Sequence, residues 1–218
     1  ECCVPPHRGG GGGGARRVGS PRADAGQPVP PPHGAHGAPR AGARTDFSDE
    51  LGHLAGIATL EEITFSYTYL EGIKFQDDDI AAIAPLAPSL KVLSVENTAV
   101  RGRRLAPFVN LETLDLVSCP IDDQGMRQMQ SMTRLRRLLL RDALISDAGV
   151  EAIAGLVNLE HLDLGGTGIS DAGIAHLSNL TKLKRLNLFG CELTDEGVHH
   201  LLRMPELREL NLYATKIS

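Results

Sequence analysis

Apolar side chains recur along this chain at a fixed interval. A Leu-x-x-Leu-x-Leu triplet stands at Leu111/Leu114/Leu116, Leu135/Leu138/Leu140, Leu159/Leu162/Leu164, Leu183/Leu186/Leu188 and Leu207/Leu210/Leu212, each beginning 24 residues after the last. The alternating Leu pair predicts a short strand with one face inward. Ten residues after the first Leu comes another apolar residue, at Ile121, Ile145, Ile169, Leu193 and Ile217. A polar pair follows (Ser146-Asp147, Ser170-Asp171, Thr194-Asp195), and then Gly149, Gly173 or Gly197. Apolar residues next fall at helical spacing, as in Val150, Ile153 and Leu156. Ser or Thr before Asp is a helix start: the hydroxyl caps free N–H groups and the carboxylate suits the positive dipole end.

The same ruler reaches upstream, with two irregularities. Leu90/Leu93/Val95 opens a repeat of 21 residues. Its three missing positions fall at residues 101–104, where the others carry the Asp-Gly turn. Leu60/Ile63/Phe65 opens a repeat of 30. Aligning Phe75-Gln76-Asp77 with Ile145-Ser146-Asp147 places five extra residues within 67–74 and a sixth beside Pro88. Before it, Phe47-Ser48-Asp49-Glu50-Leu51, Leu54 and Ile57 read as the helical half of a repeat. The expected body is thus half a repeat and seven strands, broken off in the seventh repeat as a fragment would be.

No unit can bury its own Leu face, so neighbours must stack into a continuous core. The predicted fold is an α/β solenoid with a parallel concave β-sheet and convex helices. The pattern resembles the leucine-rich repeat family over residues 47–218. It is similar to the helix-bearing repeats of F-box leucine-rich proteins and ribonuclease-inhibitor-like horseshoes, and to 24-residue repeats of many bacterial proteins. The resemblance implies a non-catalytic module that binds a protein partner. These repeats are shorter than the F-box type, and nothing in the first 45 residues resembles the helices of an F-box.

Composition splits the chain. Residues 1–45 hold 11 of the 24 Gly and 8 of the 13 Pro, and their charges give +4. So little of this segment could be buried that ordering it would go uncompensated, and it is expected to be a disordered Gly/Pro/Arg-rich tail. Residues 46–218 carry −9 and nearly all the Leu and Ile, the expected folded domain. The net charge of −5 argues against a nucleic-acid partner. No run of 18 apolar residues speaks for a membrane span. The first 30 residues have no apolar stretch of signal-peptide type, so a cytoplasmic protein is favoured.

Motifs of chemistry are scarce. The run Gly9 to Gly14 lacks the Gly-Lys-Ser/Thr ending of a phosphate loop and reads as a linker. No spaced His and Cys pairs point to a metal, no nucleophile motif points to a catalytic triad, and no cofactor is implied. Cys119 and Cys191 share a register position with Thr68, Thr98, Ala143, Thr167 and Thr215. Three repeats apart at about 4.8 Å per strand, they lie on the order of 14 Å apart, too far for a disulfide. In the family resembled, this position satisfies backbone groups at the turn. His176, His199 and His200 read as solvated helix surface.

The concave face is more informative. Residues two, four and six positions after the first Leu point off the sheet. They bring Arg137, Arg141, His161 and Arg185 together in the middle repeats, with Phe189 and Tyr213 toward the C-terminus. Arg and aromatic side chains dominate binding hot spots. These six, with Asp163, Asn187 and Asn211, are the expected partner-binding set. The runner-up is a targeting or regulatory segment of a larger enzyme, a kinase or ubiquitin ligase. A sugar- or anion-binding surface built on the Arg cluster is a third reading. One expectation stands on composition alone: limited proteolysis should remove residues up to about Arg44 first, and slow amide exchange throughout the tail would contradict it.

Overall fold

The computed structural model describes residues 50–65 and 75–218. The proposed tail, Phe47 to Asp49 and the extra residues at 67–74 therefore lie outside the described residues. Among the described residues, seven three-residue strands run parallel in sequence order: β1 (Glu62–Thr64), β2 (Val92–Ser94), β3 (Thr113–Asp115), β4 (Arg137–Leu139), β5 (His161–Asp163), β6 (Arg185–Asn187) and β7 (Glu209–Asn211). Each pairs with the next at the repeat interval, so Leu93, Leu114, Leu138, Leu162, Leu186 and Leu210 stand in one row. Helices α1 (Asp77–Ala82), α2 (Asp123–Arg127), α3 (Asp147–Ile153), α4 (Asp171–His176) and α5 (Asp195–Leu201) return the chain between strands.

The Leu columns are the core. Leu90, Leu93, Leu111, Leu114, Leu116, Leu135, Leu138 and Leu140 are wholly buried, as are their counterparts through Leu183. Burying such a side chain stabilises by about 1.5–3 kcal/mol. Few aromatics join them: Phe75 and Phe108 are buried, and Phe75 stacks on Phe65 at 4.4 Å between ring centroids. At the C-terminal end, Leu210 of β7 is 41% exposed. Ile57, read from sequence as part of an apolar helical face, is largely exposed after a 3-10 turn at His53–Gly56.

What fixes one repeat against the next is an aspartate clasp. From α2 onward the first residue of each helix accepts two hydrogen bonds from the Ser or Thr one repeat on, one from its backbone N–H and one from its hydroxyl. Asp147 holds Ser170 this way at 2.9 and 2.6 Å. Asp123 holds Ser146, Asp171 holds Thr194, and Asp195 holds Ser218. The capping expected from sequence is present at Ser170 and Thr194, whose hydroxyls accept from Ala172 and Glu196. Ser146 makes no such cap; its hydroxyl goes to Asp123. The carboxylates, assigned from sequence to the helix dipole, therefore also tie the repeats together. The recurring Gly has the same cause. A Cβ on Gly173 or Gly197 would collide with the preceding clasp carboxylate (Asp147 or Asp171), and one on Gly149 would stand 2.5 Å from Asp123.

The 21-residue repeat lacks a helix where the three positions are missing, and Arg103 spans the gap. The backbone N–H groups of Arg101 and Arg103 donate to Asp77 at 3.2 and 2.8 Å. The Arg103 guanidinium forks onto both carboxylate oxygens of Asp122, the cap of α2, at 2.6 and 2.5 Å. That fork, together with the Gln124 and Gly125 N–H groups, lowers the Asp122 pKa to about 2. Gly102 takes a positive φ of 82°, a Cβ on it would stand 3.0 Å from the Gly125 Cα, and a Cβ on Gly125 would collide with the Arg101 carbonyl.

The clasp yields a stability test. Gly173→Ala should cost about 1–3 kcal/mol of unfolding free energy, the usual range for overpacking a tight site. Gly155→Ala, whose Cβ would meet nothing within 4 Å, serves as the control. Urea denaturation measures both; equal midpoints would contradict the close-approach argument.

Candidate functional site

The outward columns build the candidate site as the repeat register places them. The strand-opening column pairs Arg137 with His161 and His161 with Arg185 across β4, β5 and β6. Arg141 stands four residues further along the chain than Arg137, about 13 Å at 3.3 Å per strand residue. The four basic residues therefore resolve into a row of three and one guanidinium apart. Arg185 donates through Nε to Glu209 at 2.9 Å. Among the described residues no hydrogen bond or ion pair engages the side chain of Arg137 or Arg141.

His161 sits half-buried between Arg137 and Arg185. Burial first, and then repulsion from both guanidiniums, holds its pKa below the ordinary histidine value, against the pull of Asp163 and Glu209. The shift favours its neutral form. His161, Arg185, Leu186, Asn187, Glu209, Leu210 and Asn211 line an open depression of about 240 Å³.

The middle column has structural duties that sequence reasoning missed. Asp115, Asp163, Asn187 and Asn211 each accept from the backbone N–H two residues on, at Val117, Gly165, Phe189 and Tyr213, over 3.0–3.2 Å. Asn187 also donates to Asp163 at 2.9 Å. Three of the nine expected contact residues thus close the ends of their own strands. The signal was visible as a column of Asp and Asn, residues that favour such local turns.

One position later, Asn97, Ser118, Asp142, Gly166, Gly190 and Ala214 all adopt positive φ between 55° and 70°. That conformation suits Gly, Asn and Asp and strains Ser118 and Ala214. This sharp turn directs the following residue inward. There Thr98, Thr167 and Thr215 donate to the carbonyls of Val95, Leu164 and Leu212, and the Cys119 and Cys191 thiols reach Val95 and Leu164 at 3.0 and 3.2 Å. Both Cys are free and buried, and burial raises their thiol pKa values.

At the C-terminal side of the face, Phe189 and Tyr213 form an exposed stacked pair. Their rings lie 5.8 Å apart and 8° from parallel, with Phe189 40% and Tyr213 75% exposed. Toward the N-terminus the face is acidic. Asp115 is pushed up to about 6 by burial first, with the Glu96 carboxyl beside it adding and Arg137 opposing. Among the described residues no group of three or more His, Cys, Asp or Glu is arranged to hold a metal, and no helix is long and apolar enough to cross a membrane. On the convex side His199 is exposed, whereas His176 and His200 are half-buried rather than fully solvated.

Comparison with known proteins agrees with this architecture. Residues 133–193 match a family model described as leucine rich repeat, and residues 109–128 match a second leucine-rich repeat model. No curated protein matches the chain. Among solved structures it is similar to an internalin (inlF) from Listeria monocytogenes, with 24% identity and a TM-score of 0.64, over 77% of this chain and 45% of that one. It is also similar to internalin C2 (inlC2) of the same organism, at 19% identity and a TM-score of 0.58, over 79% of this chain and 84% of that one. A third likeness, at 17% identity and a TM-score of 0.58, is the leucine-rich repeat ectodomain of the plant receptor kinase GASSHO1/SCHENGEN3 from Arabidopsis thaliana, solved in complex with Casparian strip integrity factor 2. It covers 76% of this chain and 20% of that one. At these identities the likeness is one of fold.

The Asp115–Glu96 pair generates a pH prediction. A carboxyl whose pKa is raised on folding binds its proton more tightly in the folded chain, so stability is lost as pH rises through about 6. Asp115→Asn keeps the acceptor for Val117 and removes the charge. Its urea midpoint should exceed that of the parent at pH 8 and match it only at about pH 3, below the ordinary Asp value of 3.8. A gain of equal size at both pH values would contradict the assignment.

Proposed function

We propose that this chain, a leucine-rich repeat protein, is a non-catalytic module that recognises a protein partner on its concave face. One observation carries the reading. The outward side of a sheet whose inner side is filled with Leu presents two guanidiniums without a hydrogen bond or ion pair among the described residues, Arg137 and Arg141, and the exposed Phe189–Tyr213 pair. Arg and aromatic groups gain most when a partner excludes water from them. None of the four has a part in the Leu core. A plant ectodomain of similar fold is solved in complex with its factor, which supports the choice of a protein partner.

A second reading, a targeting or regulatory segment of a larger enzyme, draws on the longer chains in which similar repeats occur. The matched stretch makes up 45% of the inlF internalin and 20% of the plant ectodomain. This reading uses the same concave contacts and adds a catalytic domain outside the chain.

The test begins with capture of a partner on immobilised protein. Arg137→Ala and Phe189→Ala should each weaken that partner by roughly 30-fold, the equivalent of ~2 kcal/mol at an interface anchor. Their unfolding midpoints should change little, since exposed substitutions usually stay within about 0.5 kcal/mol. Glu151→Ala and His199→Ala on the helix side should bind normally. Loss of binding in those two, with the concave variants unaffected, would sink the concave-face reading.

A further inference from the structure

The last outward column carries the least encumbered chemistry on the molecule. Through β3 to β7 it reads Val117, Arg141, Gly165, Phe189 and Tyr213. Arg141 is exposed and its guanidinium is unpaired among the described residues. Gly165 puts no side chain between Arg141 and the rings, and its backbone is pinned by Asp163. The ring pair is held in place from below, because Phe189 and Tyr213 donate their backbone N–H groups to Asn187 and Asn211. Arg141 and Phe189 are two strands apart, about 10 Å at 4.8 Å per strand. An extended peptide laid across the strands covers that span in three residues at about 3.3 Å each.

We infer that this column reads a short extended segment of a partner protein bearing a carboxylate side chain and, three residues away, an aromatic one. The carboxylate meets the fork of Arg141, a planar donor suited to two parallel hydrogen bonds. The partner's ring joins the Phe189–Tyr213 stack in an offset arrangement. Arg141 fixes the end at which the acid sits, and Glu96 and Asp115 on its N-terminal side repel any further acid beyond it. The inference rests on the concave-face reading and narrows it to a partner chemistry.

The chain has no Trp, so a peptide's indole is a clean fluorescent reporter of binding. The probes are eight-residue Gly/Ser peptides with Glu three positions before Trp, with Glu three positions after Trp, and with Lys or Gln in place of Glu. One Glu peptide, in its preferred direction, should bind more tightly than the Lys peptide and show a blue-shifted indole. Arg141→Ala should weaken that Glu peptide about tenfold and leave the Gln peptide almost unchanged, the size expected for a charged hydrogen bond. Phe189→Ala should abolish the blue shift. Equal binding of the Glu and Lys peptides, or equal weakening of the Glu and Gln peptides by Arg141→Ala, would overturn the inference. If Arg137→Ala still releases the captured partner while either result holds, the motif falls and concave-face binding survives.

Discussion

The aspartate clasp is the constraint on which the rest of this protein depends. Burial of Leu supplies most of the stabilisation but is non-directional, and stacked apolar faces could slide past one another. The clasp is directional. Each carboxylate receives an N–H and a hydroxyl from the following repeat, within a contact so close that only Gly fits the helix beside it. Asp, Gly and Ser/Thr are thus three parts of one joint between adjacent repeats. Where a repeat is too short to supply the joint, the backbone N–H groups of Arg101 and Arg103 and the Arg103 guanidinium fork replace it. The strand register, and with it the row of outward side chains, follows.

That register explains why some outward residues are available to a partner and others are not. The middle column turns its carboxyl and amide oxygens back onto the chain and closes each strand end. The outer columns have no such work, which leaves Arg137, Arg141, Phe189 and Tyr213 facing solvent on a fixed grid. Spacing on that grid is set by the sheet, so a partner that matches it loses little entropy ordering the site on binding. The acidic pair on β2 and β3 side and the guanidiniums of β4 give the grid a direction.

Much of this was legible in the sequence for a simple reason: the Leu columns are spaced by the repeat, and burial follows spacing. The 21-residue repeat announced its missing turn, and the structure finds no helix there. The bonds between repeats were not legible. Asp147 sits beside Ser146 in sequence, where a local cap was expected, yet its partner Ser170 is a full repeat away. Sequence spacing shows which residues recur, not where their lone pairs point. The same limit hid the left-handed turn, since Ser118 and Ala214 share a position with Gly166 and Gly190 and mask the glycine signal. It also hid the difference between Asn187, which is engaged, and Arg141, whose guanidinium has no partner among the described residues.

Hydrogen exchange at single amides tests the clasp most directly. In the parent chain the Ser170 N–H is held by the Asp147 carboxylate at 2.9 Å. Asp147→Ala removes the acceptor, whereas Asp147→Asn keeps an oxygen there and loses the charge. The account predicts fastest exchange at Ser170 in the Ala variant, an intermediate rate in the Asn variant, and an unchanged rate at Thr194, which belongs to the next clasp. Exchange at Ser170 that is the same in all three proteins would contradict it.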